Sequence, residues 1–193
     1  MFGGKCTNSN ITYFEKTGQL NTEATFQLVK ESLETHNIKK IVLASTTGNG
    51  AKKALEFFKD TDVKLIILPH QFDFSSKTNR FSQELVDELK LAGHEVHFGT
   101  MLFHTEKLFG SSIPTIIANF LRCFSEGVKV CYEIVLMATD AGYLSSNERV
   151  IAIAGTGLGS DTAMIMQAAS TQNLKNLRIN EIICKPLNEI SNS

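Results

Sequence analysis

Twice in this chain a short β-branched run breaks into a turn of glycine, serine and threonine, and then into a segment that reads as helical. The first is Ile41 to Phe58, IVLASTTGNGAKKALEFF, and the second is Val150 to Met166, VIAIAGTGLGSDTAMIM. A strand that hands over to a helix through such a turn leaves several backbone N–H groups unpaired. Together with the positive helix end they point at one spot, which suits a phosphate.

The remaining segments repeat the alternation. Residues 1–10 read as loosely ordered, and Ile11 to Phe14 as a short strand. Asn21 is placed to cap a helix with Glu23 in its first turn and Leu28, Val29 and Leu33 on one side, ending near Asn37. VKLIILPH is a continuous apolar run of the kind found in strands buried on both faces. After the polar stretch QFDFSSKTNR, FSQELVDELKLAG has Leu85, Leu89 and Ala92 in helical register and Gly93 as its stop. HEVHFG reads as a strand, and TMLFHTEKLFGSS as a long connection with one helical turn. A helix with Pro114 in its first turn runs from Ile113 to about Ser125. EGVKVCYEIVLMATDAGYL contains β-branched residues, but its length and all-round apolarity make it a buried helix. VIAIA and its turn are then expected to lead into a helix from Asp161 to about Ala169, followed by a polar loop and a last strand, NEIICKP. Strands alternating with helices predict one α/β domain over 1–193, a three-layer α/β/α sandwich with a mostly parallel sheet. In such sheets ligands bind beyond the carboxyl ends of the strands, where both turns would sit.

Composition removes several function classes. A length of 193 residues allows one large core, and a net charge of −1 without a basic stripe argues against a nucleic-acid partner. No stretch reaches membrane-span length, and MFGGKCTNSN lacks the apolar core of a secretory signal, so a cytoplasmic protein is expected. Cys6, Cys123, Cys131 and Cys184 are widely spaced with no CxxC pair, which reads as buried or incidental thiols. His94 and His97 lie three apart on a strand and would face opposite ways, so no metal site is expected.

The turns themselves are selective. GTGLGS gives GxGxG where a dinucleotide fingerprint needs GxGxxG, and no acidic residue stands at the required distance. STTGNGAKKA lacks the GK[ST] ending of a Walker-type loop. What remains is a cup in which Ser45, Thr46 and Thr47 supply hydroxyls beside Gly48 and Gly50, where backbone can approach a ligand without Cβ interference. Helix capping alone is the structural alternative for such residues. Asp161 would repel a phosphate, so the second turn is expected to meet an uncharged part of the ligand, with Asp161 accepting from N–H or O–H groups. Lys52 and Lys53 read as a solvated face.

Two further residues are candidates for acid–base chemistry. Glu133 stands among apolar neighbours in VCYEIVLM, and a charge seldom stays buried without a partner or a task. It shares a helix face with Met137 and Asp140, but the two carboxylates would be about 10 Å apart along the axis, too far for a dyad. Pairing of Glu133 with a neighbouring backbone turn is the alternative. His70, at the end of VKLIILPH, would lie near the same sheet edge with a side chain suited to proton transfer at neutral pH.

These residues carry a resemblance. ASTTGNGAKKALEFF is similar to the loop and helix that hold the phosphate of the sugar-bisphosphate effector in the C-terminal α/β domain of pyruvate kinase. A closer resemblance is to stand-alone pyruvate-kinase-C-terminal-like proteins of archaea and bacteria. It is carried by YFEKTGQLNT from Tyr13 to Thr22, IVLASTTGNGAKKALE, GVKVCYEIVLMATDAG from Gly127 to Gly142, VIAIAGTGLGSDTA, and EIICKP from Glu181 to Pro186. It spans nearly the whole chain in order, is weakest from Phe74 to Phe120, and departs from the usual pattern at Asn49, Gly50 and HTEKLFG.

The resemblance implies the fold and, since the residues of the catalytic barrel have no counterpart, a chain that is not a pyruvate kinase. Some similar proteins are associated with bound flavin mononucleotide (FMN), so it implies FMN as the cofactor. The expected function is binding of a phosphorylated small ligand. Ser45, Thr46, Thr47, Gly48 and Asn49 would hold the phosphate, and Gly155, Thr156, Gly157, Asp161 and Thr162 would line the remainder. Two alternatives stay open: a flavin-dependent oxidoreductase or a hydrolase of a phosphorylated metabolite using His70 or Glu133, and a ligand-sensing regulatory module. A homo-oligomer is compatible with each.

Overall fold

The structure, a computed structural model, describes residues 7–74 and 78–187. Of the stretch expected to be loosely ordered, residues 1–6 therefore lie outside the described part. Among the described residues the strands and α-helices follow one another as β1 (Thr12–Phe14), α1 (Thr22–His36), β2 (Lys40–Ala44), α2 (Asn49–Phe58), β3 (Lys64–Leu68), α3 (Gln83–Leu91), β4 (Glu95–Val96), α4 (Glu106–Phe109), α5 (Ile113–Arg122), α6 (Glu126–Asp140), β5 (Arg149–Ala154), β6 (Thr162–Gln167) and β7 (Arg178–Pro186), with short 3-10 turns between some of them.

The strands form a single seven-stranded sheet in the order β1-β7-β6-β5-β2-β3-β4. After their first residues, β2, β3 and β5 are apolar throughout because both faces are covered, and alternate residues feed two separate cores. Ile41, Leu43, Leu65, Ile67, Ile151 and Ile153 pack with Phe26 and Val29 of α1, Ala51 and Ala54 of α2, and Leu85 and Leu89 of α3. Val42, Ile66, Leu68, Ala152 and Met164 face the other way, onto Val128, Cys131, Val135 and Ala138 of α6. Outside α6 lies α5, whose Ala118 and Leu121 bury against Phe103 and Tyr132. The expected three-layer α/β/α sandwich is thus present.

One element differs from the sequence reading. TAMIMQ, expected to continue a helix from Asp161, is strand β6, antiparallel to both β5 and β7. Residues of β6 from Thr162 to Met166 are buried, so the segment has no polar face to report a period of two. The second turn is consequently a hairpin, with Gly157 and Gly159 at positive φ, and there is no helix end behind it. The remaining neighbour pairs, β1 with β7, β2 with β3 and β5, and β3 with β4, are parallel. Since β2 and β5 are adjacent and parallel, both turns still emerge at one edge of the sheet.

The apolar stretch after Ser125 is a helix as expected. Ser125 Oγ accepts from the Val128 N–H at 3.1 Å and caps α6, and Gly127 lets that end approach β6 closely. A Cβ at Gly127 would stand 2.1 Å from Thr162 Oγ1. Asn21 precedes α1 as expected but does not cap it with its side chain: Asn21 Nδ2 donates to the Lys16 carbonyl at 2.7 Å. Cys131 and Cys184 are buried and, like exposed Cys123, free thiols.

Candidate functional site

At the carboxyl ends of β2, β3 and β5 the sheet opens into a cavity of about 370 Å³. Its first wall is the STTGNG turn. Gly48, at φ 87°, makes the left-handed step that starts α2, and a Cβ there would come within 2.5 Å of Leu85 Cδ2. Ser45 Oγ is buried and accepts from the Ala51 N–H at 3.1 Å, which pins the helix start to the strand end. Among the described residues, the N–H groups of Thr46, Thr47, Gly48, Asn49 and Gly50 donate to no protein acceptor. Consecutive unpaired donors at a helix N-terminus make a concave anion site.

The cations near this wall are unevenly paired. Lys53, Arg80, Arg122 and Lys129 line the cavity together with the carboxylates Glu126 and Glu133. Arg122 Nε bonds Glu126 at 2.5 Å, and Lys129 Nζ bonds Glu133 Oε2 at 2.7 Å. Lys53 and Arg80 have no ion-pair partner among the described residues. The balance of the lining is therefore positive, as an anionic ligand requires.

The floor is a polar cluster set in apolar surroundings. Glu133 and Lys129 are each 2% exposed. Besides Lys129, Glu133 receives the Phe103 N–H on Oε1 at 2.9 Å, so its pairing with a neighbouring backbone turn is real, and a buried lysine one helical turn earlier completes it. Lys129 Nζ also lies 3.4 Å from His104 Nε2. An ammonium only donates, so the contact needs that nitrogen as an acceptor and hence a neutral ring. Burial first, and the Lys129 charge second, hold His104 below the usual histidine pKa.

His70 stands opposite. Its Nε2 lies 3.1 Å from Thr46 Oγ1, while its buried Nδ1 has no hydrogen-bond partner among the described residues. Burial, then the charge of Arg80, lowers its pKa, against a smaller opposing effect of Glu133. The Phe74 ring stands edge-on to both imidazoles, 4.8 Å from His70 and 4.9 Å from His104.

The second wall is the β5–β6 hairpin, and here the proposed residues separate. Gly155 and Gly157 line the cavity with Leu158 and Gly159, as do Ser45, Thr46, Thr47 and Asn49 opposite; Gly48, Thr156, Asp161 and Thr162 do not. Asp161 is wholly buried. Its Oδ2 accepts the N–H groups of Gly18 at 2.8 Å and Thr156 at 3.1 Å, and its Oδ1 accepts Thr162 Oγ1 at 2.8 Å. The carboxylate expected to receive a ligand donor is thus used to tie the hairpin to the Gly18 turn. Thr22 reinforces this, accepting the Ser160 N–H at 3.1 Å and lining the cavity beside Gln19.

Several lining residues have no sequence signal of their own. Gln19, Arg80, His104 and Arg122 come from connections or helix ends that only the topology brings to this edge. Lys53, read as solvated, is exposed yet lines the cavity, while Lys52 does not. Lys129 did have a signal, since it precedes Glu133 by four residues on a helix. Asp140 lies away from the cavity and accepts the Thr171 N–H at 2.9 Å. His94 Nδ1 accepts the Leu65 N–H at 3.3 Å, His97 packs against Tyr143, and no metal-ligating cluster occurs among the described residues. Nor is any helix among them long and apolar enough to cross a membrane.

No known protein-family model matches the chain. Among solved structures, pyruvate kinases from Cryptosporidium parvum, one of them in complex with ADP, align with 72% of this chain. The identity is 18–19% and the TM-score 0.37–0.39. The aligned region is 20–22% of those chains, so this chain corresponds to about a fifth of their length. The layer order and strand directions described above stand independently of that likeness.

Proposed function

We propose that the cavity binds a small phosphorylated molecule, with FMN as the ligand to test first. The observation that carries this is the turn from Thr46 to Gly50 at the N-terminus of α2: its five N–H groups have no acceptor among the described residues, and all but Gly48 line a cavity that also holds two cations without an ion-pair partner among those residues. A phosphate in that turn meets backbone donors, the Thr46 and Thr47 hydroxyls and the positive helix end together. The cavity volume falls in the range usual for small-molecule sites. Leu68, Phe74, Met101, Ile134, Met137 and Leu158 offer apolar surface for a flat ring system. The resemblance to stand-alone proteins associated with FMN supports the same ligand.

The test is direct. The purified protein should show flavin absorbance in the visible region, or acquire it when FMN is added and excess is removed. Absence of both would eliminate FMN and leave phosphorylated ligands without a flavin.

A second reading is favoured by one observation. His70 lines the cavity with its pKa held low, so at neutral pH its ring is neutral, and its Nε2, 3.1 Å from Thr46 Oγ1, is the nitrogen placed to take up a proton there. It fits a flavin-dependent oxidoreductase or a hydrolase of a phosphorylated metabolite. Glu133 fits that role less well, because both of its oxygens are already engaged. In this reading His70→Ala abolishes turnover and leaves ligand affinity within a few-fold, whereas unchanged turnover excludes His70 as the base.

A further inference from the structure

The segment from Leu108 to Leu121 contains no charged residue. Its helix α5 is amphipathic in an unusual sense: Ala118 and Leu121 bury against the α6 layer, but the outward side is apolar as well. Ile113, Ile116, Ile117 and Phe120, with Phe124 beyond the helix end, repeat at helical spacing on that outward side, and Leu108 and Phe109 precede it on α4. These seven side chains are between 39% and 72% exposed. The Phe120 and Phe124 rings already pack edge-on, 6.3 Å apart.

We infer that the α4–α5 face is the interface of a symmetric homodimer. The size of the patch carries the choice of occupant. At ~200 Å² for a large side chain fully exposed, the seven leave roughly 800 Å² of apolar surface uncovered. That exceeds the largest patch usual on a monomer, roughly 300–600 Å². It equals the share that one partner contributes to a standard stable interface, about 800 Å². Apart from Glu106 and Lys107 at its start and Arg122, paired with Glu126, at its end, the patch carries no charge to select a partner of different chemistry, and two copies related by a two-fold axis match it apolar to apolar. The same helix ends in Arg122, which lines the cavity, so interface and site share one element.

Light scattering on the full chain after gel filtration tests this. The wild type should have a mass about twice 21.3 kDa, and Ile116→Glu and Phe120→Glu should each run at the single-chain mass with an unchanged circular dichroism spectrum. Phe120→Ser, milder at an exposed position, should weaken the dimer in the same direction. Leu91→Glu, at the 90% exposed end of α3 in the opposite layer, should leave the dimer intact. A monomeric wild type at the highest monodisperse concentration would overturn the inference, and so would dimers that survive Ile116→Glu and Phe120→Glu.

Discussion

Single side chains at the site divide into those that build it and those left open to a ligand. Lys129 and Glu133 belong to the first group. Removing one charge strands the other in a buried position, so Lys129→Met should cost about 3–5 kcal/mol in urea unfolding. Replacing both, as Lys129→Met with Glu133→Leu, should recover most of that loss. Asp161→Ala deprives two N–H groups and a hydroxyl of their acceptor and should cost about 2–4 kcal/mol. The imidazoles set a pH dependence. His70, His94, His97 and His104 all have pKa values lowered chiefly by burial. The unfolded chain therefore binds more protons than the native one, and their contribution to stability, full above about pH 6.5, is lost as pH falls through the lowered values. The melting temperature should drop between pH 7.5 and 5.5, and His70→Gln with His104→Gln should flatten that slope. Glu133 was recognisable in the sequence as an anomaly because its neighbours are apolar. The burial of His70 Nδ1, without a partner among the described residues, was not, because it depends on what packs around the ring.

Among the elements, the β2–α2 unit was legible and the β5–β6 unit was not. IVLA and AKKALEFF differ in period, so the boundary at STTGNG is marked on both sides. TAMIMQ has no polar face, because both sides of β6 are covered, and methionine and alanine are at home in helices. The consequence reaches the site: the first turn offers a helix end and five donors without an acceptor among the described residues, the second a hairpin held by Asp161. Their contributions should differ accordingly. Gly48→Ala, which forces a side chain into positive φ against Leu85, should weaken phosphate binding at least 10-fold by isothermal titration while the protein stays folded. Gly157, also at positive φ, has open space where a Cβ would go, so Gly157→Asn, a residue that tolerates this conformation, should change phosphate binding less than 3-fold.

For the molecule as a whole, one sheet edge gathers the turn, the cations Lys53 and Arg80 and the buried polar floor, although the lining comes from positions as far apart as Gln19 and Gly159. The alternation of strands and helices was enough to place both turns on that edge, since it needs only the parallel direction of β2 and β5. It could not foretell which connections would complete the cavity. A phosphate seated in the first turn, with the rest of the ligand over the apolar floor, is what this arrangement favours. Paired calorimetric titrations with FMN and with riboflavin, which differ only in the phosphate, separate that arrangement from flat-ring binding alone. FMN should bind at least about 10-fold more tightly than riboflavin, with Thr46→Ala reducing the difference. Equal affinities for the two, or no binding of either FMN or inorganic phosphate, would contradict it.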